Sequence, residues 1–261
     1  MVDLVARLKL SPTPAQALGP RGRAALVLAG LIPCATLASL SLARAGGAAD
    51  PLQAAALTLG LCLAGGAAIL AGLSGQHYPH TRLGLCNLLT MLRAAGIAAL
   101  AGLLVVPGAL DPAGGLGWTL VALAAAVLAL DGADGWAARR SGLRSGFGAR
   151  FDVEVDVAFA LVTAALAWQA GKVGIWFLAL GGLRPAFLLA RAVWPQLRAP
   201  LPEAAWRKRV AALQMILQVV LLAPVIVPPA SQLLAGALLA GVVLSFAVDI
   251  RWLMRQPGRQ P

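Results

Sequence analysis

The chain has 261 residues, of which 60% are hydrophobic and only 12% are charged, and its formal net charge is +11. Its mean hydropathy is +0.83. These values exclude an ordinary soluble domain and indicate an integral membrane protein with several spans.

The apolar segments predict an all-α, polytopic membrane protein with about eight transmembrane helices, since a span needs roughly 20 mostly apolar residues. We expect residues 1–80 to hold an interfacial segment and the first two spans, and residues 81–261 to form a six-helix domain. In chain order, the predicted spans are residues 24–43, 53–73, 88–108, 115–131, 150–170, 173–194, 210–228 and 231–250.

The basic residues predict how these spans are oriented. If the loop between the fourth and fifth spans is cytoplasmic, most of the basic residues lie on that side, and only Arg44 and Lys172 fall outside. Cytoplasmic loops of membrane proteins carry such an excess. The positive charge therefore indicates topology and attraction to anionic lipid, and we expect no nucleic-acid partner.

Four aspartates are concentrated in one otherwise apolar region: Asp131, Asp134, Asp152 and Asp156. Residues three or four apart share a helix face, so each pair aligns at the cytoplasmic end of its span. Carboxylates beside lipid are costly unless they hold a cation. The pattern predicts an oxygen-rich site for Mg²⁺ or Mn²⁺, with two ions expected. The alternative is a salt-bridge network with the neighbouring arginines.

This region resembles the signature of the class I CDP-alcohol phosphotransferases, Asp-x2-Asp-Gly-x2-Ala-Arg-x8-Gly-x3-Asp-x3-Asp. A shorter upstream run, Asn87 to Arg93, resembles the Asn-x2-Thr-x2-Arg opening of that family's first helix. The resemblance covers about residues 85–250. The fixed positions of the signature are all present, as Asp131, Asp134, Gly135, Ala138, Arg139, Gly148, Asp152 and Asp156.

The resemblance implies a role for each of these positions. It implies that the four aspartates bind metal and that Asp156 also acts as general base on the acceptor hydroxyl. The residues that it places around the CDP group are Asn87, Thr90, Gly135, Ala138, Arg139 and Gly148.

The predicted function is transfer of a phosphatidyl group from CDP-diacylglycerol to a polar alcohol, with release of CMP. Arg184 and Arg191 share a helix face, and with Gln214 they form a candidate acceptor site. They favour an anionic acceptor, with glycerol 3-phosphate as the first choice.

Alternatives to this function stay open. Val157 stands where familiar glycerol-phosphate members often carry lysine. Inositol phosphate is a rival acceptor, and CDP-choline or CDP-ethanolamine is a rival donor. A transporter with buried charges is the non-enzymatic alternative.

We also expect membrane-lipid contacts, a homodimer, and a bacterial-type inner membrane with the site at its cytoplasmic face.

Overall fold

The computed structural model describes residues 18–73, 78–111, 115–141, 145–202 and 204–255, except for the side chains of residues 133–141. These residues contain helices and no strand. Three short 3₁₀ segments occur at Leu103–Val105, Ile175–Leu178 and Pro195–Arg198. The α-helices are α1 Pro20–Ala45, α2 Pro51–Gly72, α3 Leu85–Gly102, α4 Leu116–Ser141, α5 Gly146–Gln169, α6 Ala179–Val193, α7 Ala205–Leu222 and α8 Ala230–Met254.

The helices follow the predicted spans in order, which confirms the all-α, polytopic class. Five segments among the described residues are long and apolar enough to cross a membrane, and a shorter apolar helix covers Leu116–Gly132. Helices α5 and α7 fall outside this group; each is long enough but carries more charged residues than a purely apolar span. The charges of α5 include two of the four aspartates singled out above.

Helix α4 continues beyond its apolar part, Leu116–Gly132, which matches the predicted span. The apolar pattern stops at residue 131, whereas the helix continues to Ser141. The added turns contain Trp136 and the alanine and arginine residues that follow it, and alanine and arginine are good helix formers. Asp131 and Asp134 therefore belong to one continuous helix, as their spacing predicts.

The main hydrophobic core lies among helices α3, α4, α5, α7 and α8. Leu100, Leu120, Phe159 and Leu222 are each almost completely buried there. The same core includes Ala43 of α1 and Ala54 of α2. The first two helices are thus packed onto the bundle.

Small residues allow this close packing. A side chain at Gly102 of α3 would collide with the hydroxyl groups of Ser39 in α1 and Thr58 in α2. The Thr58 hydroxyl also donates a hydrogen bond to the Ala98 carbonyl of α3, at 3.2 Å. Small residues and interhelical hydrogen bonds of this kind stabilise helix association in membranes.

A buried lysine, Lys172, follows the carboxyl end of α5 and connects it to the end of α7 and the beginning of α8. Asp152 and Asp156 lie near the other end of α5. Lys172 Nζ donates hydrogen bonds to the carbonyls of Leu221, Leu222 and Ala223, where α7 ends. The Ser231 hydroxyl of α8 donates to the Lys172 carbonyl at 2.6 Å. Burial lowers the pKa of Lys172 to about 8, so the ammonium form still predominates at neutral pH. This cation at the carboxyl end of α7 complements the helix dipole.

Candidate active site

Three of the four predicted metal ligands lie together. Asp131 belongs to α4, whereas Asp152 and Asp156 lie one turn apart on α5. One carboxylate oxygen from each can be chosen so that the three oxygens lie within 4.8 Å of one another. These side chains are 33%, 38% and 26% exposed, so they are accessible to a ligand.

Arg93 lies at the centre of this acidic cluster. Its guanidinium is only 1% exposed and forms ion pairs with Asp131 at 2.8 Å, with Asp152 at 2.7 Å and with Asp156 at 2.5 Å. One buried cation thus connects α3 to both acid-bearing helices. When the three carboxylates are ionised, two negative charges among these four side chains stay uncompensated.

Sequence reasoning noted Arg93 within the upstream motif but assigned it no role. The sequence does indicate a role for Arg93, because it is the one charged residue of α3. It also lies three positions after Thr90 and six positions after Asn87. That spacing places all three polar residues on adjoining turns of one helix side. All three are buried in the structure.

Asn87 and Gly148, both predicted to bind the CDP group, are in close proximity. A Cβ atom at Gly148 would lie 2.7 Å from Asn87 Oδ1, so only glycine allows this approach without a shift. The Asn87 amide donates a hydrogen bond to the Tyr78 hydroxyl at 3.2 Å. The Gly148 amide donates to Ser145 Oγ, which caps the beginning of α5. Asn87 is therefore held in place beside the acidic helix.

Thr90 lies one turn beyond Asn87 on α3. Its hydroxyl donates a hydrogen bond to the Cys86 carbonyl at 2.9 Å. Four other predicted site residues, Asp134, Gly135, Ala138 and Arg139, belong to the helical backbone of α4, but their side chains lie outside the described residues. Their predicted contacts with metal and CDP stay predictions.

The candidate acceptor residues have different environments. Arg184 is partly buried on α6, and its Nε atom is buried with no hydrogen-bond partner among the described residues. Arg191, near the end of α6, directs Nη2 toward the Arg198 carbonyl at 3.4 Å. On α7, the side-chain nitrogen Nε2 of Gln214 lies 3.5 Å from Oε1 of Gln218. Arg184 is thus the one of these three residues with an unused buried donor.

Helix α6, which carries Arg184, packs against the acid-bearing helix α5. A Cβ atom at Gly181 would lie 2.8 Å from Leu161 Cβ, so the two helices approach closely one turn before Arg184. The structure therefore places the predicted acceptor helix next to the helix of Asp152 and Asp156.

The fold and the cluster together define an integral membrane protein that gathers acidic side chains around a buried arginine. Residues 83–248 match the model of the CDP-alcohol phosphatidyltransferase family. This match covers more than half of the chain, and the chain therefore belongs to that family. Neither the comparison with curated proteins nor that with solved structures gave a match. The protein is accordingly an enzyme, a transferase of the phosphotransferase type, and the transporter alternative loses its support.

Proposed function

We propose that this enzyme transfers a phosphatidyl group from CDP-diacylglycerol to the hydroxyl group of a polar alcohol and releases CMP. The observation that carries the proposal is the convergence of Asp131, Asp152 and Asp156 from two helices, within a chain of this family. A carboxylate cluster with excess negative charge suits a divalent cation that also binds pyrophosphate.

The residues present fit Mg²⁺ or Mn²⁺. Hard cations prefer carboxylate oxygens, and three such oxygens lie within 4.8 Å of one another. Asp131, Asp152 and Asp156 would hold the metal, and we expect Asp134 to join them and two ions to bind. When bound, the metal supplies charge neutralisation for the pyrophosphate.

In the proposed reaction, Asp156 accepts the proton of the acceptor hydroxyl. The acceptor oxygen forms a bond to the β-phosphorus of the donor. The bond between that phosphorus and the bridging oxygen breaks, and CMP leaves with the electron pair. The role of Asp156 as base comes from the family resemblance. Its pairing with Arg93 supports the proposal by fixing the direction of the carboxylate.

We further propose that the acceptor is anionic, with glycerol 3-phosphate as the first candidate. Arg184 supports this choice because it retains a buried donor on a helix packed against α5. A guanidinium binds phosphate through charge-assisted hydrogen bonds. Inositol phosphate would meet the same chemical requirement.

The excess of basic residues in the predicted cytoplasmic segments supports a site at the cytoplasmic face of the membrane. We propose a bacterial-type inner membrane as its location. We also propose that the enzyme forms a homodimer, which stays a prediction from the sequence.

The decisive experiment measures CMP release by the purified full-length protein in lipid, with CDP-diacylglycerol and Mg²⁺. The acceptor panel is glycerol 3-phosphate, inositol phosphate, serine and choline. Asp156→Asn is the inactive variant. Asp249→Asn is its matched control, because Asp249 pairs with Arg207 and lies outside the acidic cluster. Absence of CMP with every acceptor would overturn the proposed reaction.

The anionic-acceptor proposal has its own test. Arg184→Gln should raise the KM for glycerol 3-phosphate by about ten- to a hundredfold, the effect of one lost charge-assisted hydrogen bond. The KM for CDP-diacylglycerol should stay unchanged. A preference for serine or choline by the wild-type enzyme would contradict this part of the proposal.

A further inference from the structure

The segment that precedes α3 places the one tyrosine of the chain, Tyr78, against Asn87. The Tyr78 hydroxyl donates a hydrogen bond to the Arg82 carbonyl at 3.0 Å. It accepts one hydrogen bond from the Gly84 amide and one from Asn87 Nδ2, each at 3.2 Å. A hydroxyl group has one hydrogen to donate and two lone pairs. The hydrogen-bonding capacity of this hydroxyl is therefore fully used.

These contacts fix the direction in which the Asn87 amide faces. If the amide were rotated by half a turn, Oδ1 would face the Tyr78 oxygen, whose hydrogen is already donated to Arg82. Two acceptors would then meet in a buried contact, which costs free energy. Nδ2 consequently stays on Tyr78, and Oδ1 faces Gly148, where a Cβ atom would lie 2.7 Å away. Oδ1 accepts no hydrogen bond from the residues that the structure describes.

The ring of Tyr78 is held by the first two helices and by α5. It belongs to a buried apolar cluster with Leu28 of α1 and Ile69 of α2. It also meets Phe147 of α5 in an edge-to-face contact, with ring centroids 6.3 Å apart. Phe147 packs so closely on Gly72, the last residue of α2, that a Cβ atom there would collide with its ring. Tyr78 thus links the first two helices to the acid-bearing helix and to α3.

We propose that Tyr78 is a positioning residue for donor binding, because it holds Asn87 Oδ1 ready to accept a hydrogen bond from the CDP group. The inference rests on the proposed function, which takes a CDP-linked lipid as the donor and Asn87 as one of its ligands. Tyr78 precedes the family match at residues 83–248. The first two helices therefore contribute to donor binding through the tyrosine ring against which they pack.

The kinetic test removes the hydroxyl and keeps the ring. Tyr78→Phe should raise the KM for CDP-diacylglycerol on the order of tenfold, the effect of losing roughly one buried hydrogen bond. Its kcat should stay within about twofold of the wild type, because a contact to the nucleotide is made equally in the ground state and the transition state. An unchanged donor KM in Tyr78→Phe would overturn the inference.

Ser231→Ala is the matched control for the loss of a buried hydroxyl. Ser231 is completely buried and donates to the Lys172 carbonyl, beyond the other end of α5. We expect a lower Tm for this variant and a wild-type KM for CDP-diacylglycerol. An equal rise of the donor KM in both variants would assign the effect to general destabilisation and contradict the inference.

A double-mutant comparison separates positioning from a general structural role. Asn87→Ala removes the amide on which the Tyr78 hydroxyl acts, so Tyr78→Phe should raise the donor KM no further in that background. The contacts of the hydroxyl with Arg82 and Gly84 are still lost in the double variant. A second rise by the same factor would assign the effect to the backbone of this segment and reject a role through Asn87.

Inhibition by CMP and by UMP identifies the group from which Asn87 accepts. If this group is the cytosine amine, Tyr78→Phe should weaken inhibition by CMP and not by UMP, whose base carries a carbonyl oxygen at that position. If the group is a ribose hydroxyl, inhibition by both nucleotides should weaken equally. Wild-type inhibition by both nucleotides would contradict the inference.

A binding measurement separates this inference from the proposed reaction. Because the chain has one tyrosine, labelling with 3-fluorotyrosine gives one ¹⁹F resonance. Saturation of the wild type with CMP and Mg²⁺ should shift that resonance, whereas the shift should be lost in Asn87→Ala. Bound CMP, measured by equilibrium dialysis, without a shift in the wild type would overturn the inference. If the wild type releases no CMP from CDP-diacylglycerol, the proposed function fails, whereas CMP release with wild-type kinetics in Tyr78→Phe rejects only the positioning role.

Discussion

Arg93 on α3 and Asp156 on α5 are 63 residues apart in the chain, yet Arg93 Nη2 donates to Asp156 Oδ1 at 2.5 Å. The same guanidinium contacts Asp131 and Asp152. The buried arginine thus stabilises three carboxylates at close range, and the proposed reaction needs this cluster. Without that cation or a metal, the three carboxylates would repel one another at close range.

Replacing Arg93 should destabilise the protein. Arg93→Gln leaves three carboxylates without their shared cation. Because these carboxylates are 26–38% exposed, the expected cost lies below the value of about 3–5 kcal/mol for a fully buried pair. We expect a lower Tm in detergent, partly restored by Mg²⁺ because the cation replaces the lost positive charge. Thermal unfolding with and without Mg²⁺ measures both effects.

Arg207→Gln is the matched control for Arg93→Gln, since among the described residues Arg207 forms one partly exposed ion pair, with Asp249 at 3.1 Å. Its cost should be about 1 kcal/mol or less. Equal losses of Tm in the two variants would contradict the central role of Arg93.

Two aspartates of the cluster should differ in their response to metal. Asp131→Asn removes a proposed ligand, so it should raise the Mg²⁺ concentration needed for half-maximal CMP release and recover part of its activity at saturating Mg²⁺. Asp156→Asn also removes the proposed base and should lower kcat by about 10²–10⁴-fold at every Mg²⁺ concentration. Mg²⁺ titrations of both variants provide the measurement. Full recovery of Asp156→Asn at high Mg²⁺ would refute its role as base.

Gly148→Ala should weaken donor binding. Its new methyl group would lie 2.7 Å from Asn87 Oδ1, and Asn87 is buried and bound to Tyr78. Because overpacking costs about 1–3 kcal/mol, we expect a displaced Asn87 and a higher KM for CDP-diacylglycerol. Gly146→Ala, two residues earlier on α5, meets no atom within 4 Å and should bind the donor normally. Steady-state kinetics that do not distinguish the two variants would argue against Asn87 as a CDP ligand.

Gly102→Ala should loosen the attachment of the first two helices. The added methyl group would collide with the Thr58 and Ser39 hydroxyls and would lie 2.7 Å from the Ala54 carbonyl oxygen. We expect a loss of about 1–3 kcal/mol in the free energy of unfolding. The control is Gly60→Ala on α2, which places a methyl group in open space and should leave Tm unchanged. Denaturation of the full-length chain in detergent checks the difference, and an unchanged Tm for Gly102→Ala would show that this contact is dispensable.

The sequence by itself determined the helical membrane architecture and the acidic motif. Apolar segments of about 20 residues satisfy their backbone hydrogen bonds within a helix, so the spans could be predicted from local composition. The pairing of Asp152 with Asp156 followed from helical spacing for the same local reason. The apolar part of α4, Leu116–Gly132, matches the predicted span, and the helix continues to Ser141 through helix-forming residues.

Only the tertiary structure decided which distant residues meet. The ion pairs of Arg93 depend on how α3, α4 and α5 cross, and no local pattern encodes that crossing. The packing of α1 and α2 onto the bundle at Gly102 likewise depends on residues of three separate helices. Helix packing in a membrane is selected by complementary surfaces of small and large side chains from separate segments. These contacts therefore became visible only once those surfaces were assembled.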